Sequence, residues 1–212
     1  MTVICVKTHD KLKNVCDYNI ERIERKKFMK EINQSKEDVK LGRFLSLVLR
    51  HDPKAAGICL DEHGFADVEK LLDGVRRTGR HIDMDTLERI VYENNKQRYS
   101  FNEDHTKIRA NQGHSIHVDV ELKKATPPSY LYHGTATRFL SAIKQKGIQK
   151  MGRQYVHLSS DSQTAMDVGR RHGVPVVITV CAEAMTSDGI PFYLSENGVW
   201  LCDEVLPKYF SL

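Results

Sequence analysis

Tyr130-Leu131-Tyr132-His133-Gly134-Thr135, with the segment Ala136 to Lys146 behind it, decides how the rest of the chain is read. Aromatic and bulky side chains pack well on a pleated surface, so Tyr130, Leu131 and Tyr132 predict a short buried strand. His133 stands at its end. Gly134 has no Cβ and lets a ligand approach the backbone closely. Thr135 is placed to cap a helix with its hydroxyl, and Phe139, Leu140 and Ile143 give that helix an apolar face. A helix start beside a strand end presents free N–H groups, which favour phosphate or pyrophosphate. An imidazole, a bare backbone and an anion site thus fall within six residues. Taken alone, His133-Gly134-Thr135 reads better as a polar turn before a helix; its weight comes from the rest of the chain.

Downstream, Tyr155 to Leu158 predicts a strand, and Ser160 or Asp161 caps a helix through Ala165, Met166 and Val168. Pro175 to Cys181 predicts a central strand. Ile190 to Leu194 and Val199 to Cys202 predict two more, joined by the turn Asn197-Gly198. This half contains no repeat, no P-loop and no G-x-G-x-x-G, so neither a Walker nor a Rossmann site is supported.

Upstream, the periodicity changes. Ser35-Lys36-Glu37-Asp38 has the pattern of a capping box, and Leu41, Phe44, Leu45 and Val48 recur at helical spacing over Val39 to His51. Pro53 stops that helix at or before Asp52. This predicts Arg50 and His51 exposed at a helix C-terminus, where the dipole alone favours cations. Ile58 to Leu60 predicts a short strand and Glu62-His63-Gly64 a turn. Asp67 and Asp83 cap two further helices. Arg98 to Phe101 and Lys107 to Ala110 form a hairpin around Asn102 to Thr106. Three helices followed by a hairpin is the pattern of a winged helix. The expected division is an N-terminal extension over residues 1–34, with a charged helical segment in Ile20 to Ile32. A winged-helix lobe follows over 35–112, a connection stiffened by Pro127-Pro128 over 113–128, and a strand-rich lobe over 129–212. The fold class is α+β.

Composition narrows the setting. The net charge of +4, from 32 basic and 28 acidic residues, is no strong nucleic-acid signature, so local placement of the basic groups matters more than the sum. No apolar run is long enough to span a membrane, and the N-terminus lacks the pattern of a secretory signal. The five cysteines, at positions 5, 16, 59, 181 and 202, are odd in number and form no CxxC pair. This predicts reduced thiols, a cytoplasmic location, and neither a disulfide framework nor a zinc site. The histidines lack metal-binding spacing, so no metal is expected.

Five stretches then occur in order: Leu49-Arg50-His51; Arg98 within Gln97-Arg98-Tyr99-Ser100-Phe101; Leu131 to Thr135; Arg153 with Val156-His157-Leu158-Ser159; and Glu196-Asn197-Gly198-Val199-Trp200. Together they closely resemble the RNA 2′-phosphotransferase family, from about residue 37 to the C-terminus. The resemblance implies an N-terminal lobe that holds an RNA 2′-phosphate, a C-terminal lobe of the ADP-ribosyltransferase fold that holds NAD, and an active site between them. It implies that Arg50, His51, Arg98 and Arg153 are catalytic. His133, Gly134 and Thr135, with His157, Ser159, Asn197, Gly198 and Val199, match the NAD-binding elements. Tyr155 departs from relatives in which histidine is frequent there, and is expected to be a packing residue. Glu196 precedes its strand and is expected to be a turn carboxylate, without the role of the glutamate that many ADP-ribosyltransferases place on this element. The partners implied are RNA carrying a 2′-phosphate and NAD as co-substrate, with no membrane, and the chain is expected to be a monomer. Two other functions fit part of the pattern. One is an ADP-ribosyltransferase acting on nucleic-acid terminal phosphates or on protein. The other is a non-catalytic winged-helix regulator reading nucleic acid through Arg76, Arg77 and Arg80.

Overall fold

The chain from Lys36 is laid out by helix caps and by one long strand pairing. The computed structural model describes residues 36–94 and 96–211. Ser35, the segment Ile20 to Ile32, Cys5 and Cys16 lie outside the described residues. Helix α1 (Lys36–Arg50) ends two residues before Asp52, as Pro53 requires, and a 3-10 turn follows at Pro53–Ala56. Strand β1 (Phe65–Asp67) leads directly into α2 (Val68–Arg77), and α3 (Met84–Tyr92) comes next. The Asp67 and Asp83 side chains accept from the backbone N–H of Lys70 and Thr86, so both expected caps are formed. β2 (Tyr99–Phe101) and β3 (Lys107–Ala110) make the expected hairpin, and β1 pairs on the far side of β3 to give the antiparallel order β1-β3-β2.

The strand expected at Ile58 to Leu60 is absent, and β1 stands in its place. The Asp61 carboxylate accepts from the backbone N–H groups of His63 and Phe65, folding these residues into a turn. Pairing on β3 becomes available only beyond that turn, at Phe65↔Arg109. Ile58 still fills the interior, without a ladder partner on either side.

After β4 (Lys123–Lys124), β5 (Tyr130–Ala136) corrects the opening expectation. It does not stop at His133. It pairs residue for residue with β8 (Pro175–Cys181), from Tyr130↔Cys181 to Ala136↔Pro175, so His133, Gly134 and Thr135 all lie within the strand. Thr135 is buried and caps nothing. A 3-10 turn at Thr137–Phe139 separates the strand from α4 (Leu140–Lys146), and neither start has a side-chain cap. The helix that follows β5 therefore does not start at His133.

β6 (Ile148–Gln149), β7 (Val156–Leu158), α5 (Ser162–Arg170), α6 (Ala182–Ser187), β9 (Tyr193–Leu194), β10 (Trp200–Cys202), β11 (Glu204–Val205) and β12 (Phe210–Ser211) complete the mixed α/β fold. Sheet orders are β4-β9-β10-β7, β11-β6 and β12-β8-β5. Leu131, Leu158, Ile178, Met185, Trp200 and Val205 belong to the apolar cluster that these sheets enclose. Tyr132 and Ser159 exchange two backbone hydrogen bonds of 2.8 Å, which tie β5 to the end of β7.

Candidate active site

Arg50 is the last residue of α1, and the end of that helix is not as exposed as the sequence suggests. Arg50 is only 8% exposed; His51 is exposed. The Arg50 guanidinium donates through Nη2 to the Arg98 carbonyl at 3.4 Å and lies over the Tyr99 ring at 6.0 Å, while its buried Nε has no partner. Burial lowers its pKa to about 10; Tyr99 opposes this, and weaker repulsion from Arg98 and then Arg153 adds to the lowering. Arg98 comes just before β2. Its Nη1 donates to Asn94 Oδ1 at 2.9 Å, and its carbonyl also accepts from the Asn111 N–H. Arg153 lies on the turn before β7, and burial lowers its pKa as well. His51 is held below the ordinary imidazole range by burial first and then by Arg50 and Arg153, so its ring is neutral at pH 7.

The loop after β3 brings in residues that sequence reading took only for a connection. Ser115 Oγ is 2.9 Å from His51 Nδ1, and the Ser115 N–H donates to the Arg50 carbonyl. Gly113 has φ +87°, and a Cβ there would stand 3.5 Å from Arg50 Nη1 and 3.8 Å from His157 Nε2. A side chain there would be in van der Waals contact with both groups. Gln112, Gly113, His114, Gln154, Tyr155 and His157, with Val120, Leu122 and Leu201, line a small pocket beside this loop, to which Arg50, His51, Arg98 and Arg153 do not contribute. The sequence signal was Asn111-Gln112-Gly113-His114-Ser115, an unbroken polar run directly behind a strand.

On the other wall, His133 Nδ1 lies 3.1 Å from the His157 carbonyl oxygen, leaving Nε2 clear of that bond. Burial lowers the pKa of both rings, that of His157 to about 3, with repulsion from Arg153 and then Arg50 adding to the effect. His157 Nε2 is buried without a partner. Gly134 is glycine for a reason other than ligand approach: a Cβ would meet the Ala165 carbonyl oxygen at 1.8 Å, because α5 packs directly on the strand. The Asn197 carboxamide donates to the Lys96 carbonyl at 2.8 Å and accepts from Ser195 Oγ. The Val199 N–H donates to Ser195 Oγ, and Gly198 supplies the turn at φ +76°. Tyr155 is half-buried with its ring 5.7 Å from that of Tyr193, as a packing residue should be. Arg138, Arg171 and His172 are exposed.

Arg50, Arg98 and Arg153 form no ion pair with a carboxylate among the described residues. Arg50 is buried, Arg98 half-buried and Arg153 exposed, and the buried Arg50 is repelled by the other two; an anion relieves that repulsion, and a planar guanidinium offers a phosphate two donors at once. The arrangement is suited to gripping a phosphate beside a neutral imidazole. Among the described residues no group of three His, Cys, Asp or Glu side chains could hold a metal ion, and no helix is long and apolar enough to cross a membrane.

Residues 36–204 match the family model described as "RNA 2'-phosphotransferase, Tpt1 / KptA family". Similar proteins include three named "Probable RNA 2'-phosphotransferase". That of Fusobacterium nucleatum is 55% identical over 175 residues, covering 82% of this chain and 98% of its own. That of Flavobacterium johnsoniae is 52% identical over 171 residues, covering 81% and 94%. That of Escherichia coli is 47% identical over 177 residues, covering 83% and 96%.

Proposed function

We propose that this chain, which belongs to the RNA 2′-phosphotransferase family, removes an internal 2′-phosphate from RNA by transferring it to NAD. In this reading residues 35–112 are a winged-helix lobe and 129–212 an ADP-ribosyltransferase-like lobe. The three helices packed with the β1-β3-β2 sheet support the first assignment, and the strand-rich remainder supports the second. NAD supplies a ribose carbon with a good leaving group, so the 2′-phosphate joins C1″ as nicotinamide departs; the 2″-hydroxyl then displaces the RNA 2′-oxygen at phosphorus, leaving ADP-ribose 1″,2″-cyclic phosphate.

The nucleophile is already an anion, so the protein's task is to hold and aim it. Arg50 and Arg98 grip the 2′-phosphate from one side and Arg153 from the other. The same guanidinium groups stabilise charge that builds on the phosphoryl oxygens. His51, neutral and oriented by Ser115, moves the proton at the hydroxyl attack. The wall beside them fits a nucleotide: His157 Nε2 is buried without a partner among the described residues, His133 Nε2 is left clear of the bond its Nδ1 makes, and the Ser159 hydroxyl stands at the end of the strand that carries His157. Gly134 and Thr135 serve as the strand that carries His133, and Asn197, Gly198 and Val199 as the turn closing the nucleotide side.

The observation that carries the reading is the uncompensated set of three arginines with His51 among them. Its test is nicotinamide release from NAD on adding RNA with one internal 2′-phosphate. Release should require the 2′-phosphate, and Arg98→Ala should abolish it; release that ignores the 2′-phosphate would contradict the reading.

A further inference from the structure

Glu196, which sequence reading leaves as a solvated turn carboxylate, grips two strands at once. Its Oε1 accepts from Arg109 Nη2 at 3.0 Å, and its Oε2 lies 3.0 Å from Ser100 Oγ, whose one hydrogen it shares with Asn111 Oδ1. Ser100 and Arg109 are direct register partners on β2 and β3, so one carboxylate spans a complete cross-strand pair. The next residue, Asn197, holds the carbonyl of Lys96 at 2.8 Å. The turn between β9 and β10 is thus fastened on both sides of Arg98, at Lys96 before it and at Ser100 after it.

Arg109 is built into this arrangement. Its side chain is 9% exposed, lies over the Phe65 ring at 4.6 Å, and donates through Nη1 to Glu121 at 3.3 Å. A guanidinium this enclosed is costly to bury unless it is paired, and its fork is divided between two carboxylates, with the shorter contact to Glu196.

We propose that Glu196, with Arg109, is a positioning pair that brackets the β2 backbone around Arg98 and so sets the aim of the Arg98 guanidinium on the phosphate. Neither residue touches substrate. The effect on transfer rests on the activity proposed above; the effect on the strand does not. Small displacements of an aimed group cost rate out of proportion to stability.

The test compares Glu196→Ala and Glu196→Gln with the unaltered chain, by steady-state transfer to NAD and by backbone amide exchange over Tyr99–Phe101. Glu196→Ala should lower kcat by about tenfold to a hundredfold, with a smaller rise in either KM, and should speed exchange in β2. Glu196→Gln keeps an acceptor for Ser100 and should recover part of both. A kcat unchanged in Glu196→Ala would overturn the positioning role, whatever the melting temperature does. Unchanged exchange would overturn the bracket itself. Faster exchange in a protein whose unaltered form transfers no phosphate would uphold the bracket and sink the proposed activity instead.

Discussion

At the residue scale the site depends on what kind of cation stands where. Arg50 uses one arm of its fork on the Arg98 carbonyl, and in the proposed mechanism the rest meets the phosphate. A lysine there is a point charge without a second donor plane. Arg50→Lys should therefore lower kcat/KM by about tenfold to a hundredfold while the charge stays, a result read in steady-state kinetics beside an unchanged circular dichroism spectrum. His51 has its pKa held below the ordinary value, first by burial and then by Arg50 and Arg153. In its proposed role as proton acceptor it works when neutral, so the rate should hold near pH 7 and fall as the pH drops through that depressed pKa, below about 6.5. Ser115→Ala frees the ring that Ser115 Oγ now orients at 2.9 Å. Its cost should be roughly tenfold in kcat, a fraction of what general acid–base catalysis supplies, with the Kd for NAD unchanged.

At the element scale, the strand that carries His133 is held against α5 by the absence of a side chain. Gly134→Ala would put a methyl group 1.8 Å from the Ala165 carbonyl oxygen, so helix and strand must separate. A loss of about 2–3 kcal/mol follows from overpacking of this kind, measurable as a lower urea midpoint. The same strand shows what sequence reading reaches and what it does not. The caps at Asp67 and Asp83 were legible because capping is decided within three residues, and a third was narrowed to Ser160 or Asp161, of which Asp161 forms it. The hairpin was legible because its turn residues and alternation are adjacent in sequence. The extent of β5 was not, because only pairing with β8, some forty residues on, carries the strand through His133-Gly134-Thr135. The two-residue strands β6, β11 and β12 and the short helix α6 have too little sequence to show a period. Arg50, His51, Arg98 and Arg153 were singled out through motif resemblance, not through any local pattern. Arg109 and Glu196 were missed because a pair 87 residues apart leaves no local trace.

At the scale of the whole molecule, assembling cations around buried imidazoles makes stability depend on pH. His114 is 1% exposed, and its pKa is pushed down to about 4, by burial first and by Arg50, His51 and Arg109 in addition. Unfolded, it titrates near 6.5. Between those values the unfolded chain binds a proton that the folded one refuses, so the histidine's contribution is complete above about pH 6.5 and is lost as the pH falls through the folded pKa. His157 extends the window to about pH 3. Urea midpoints should fall steadily from pH 7 to pH 4, and His114→Gln should flatten that slope by up to about one proton. The same cationic centre underlies the proposed chemistry. The decisive measurement is a reaction of the full chain with NAD and a short RNA bearing one internal 2′-phosphate, in EDTA, with all products identified by mass. The expected result is RNA with a 2′-hydroxyl, nicotinamide and ADP-ribose cyclic phosphate in equal amounts. An accumulated ADP-ribosylated RNA without cyclic phosphate would contradict the two-step transfer, and folded protein that leaves NAD intact would contradict the activity altogether.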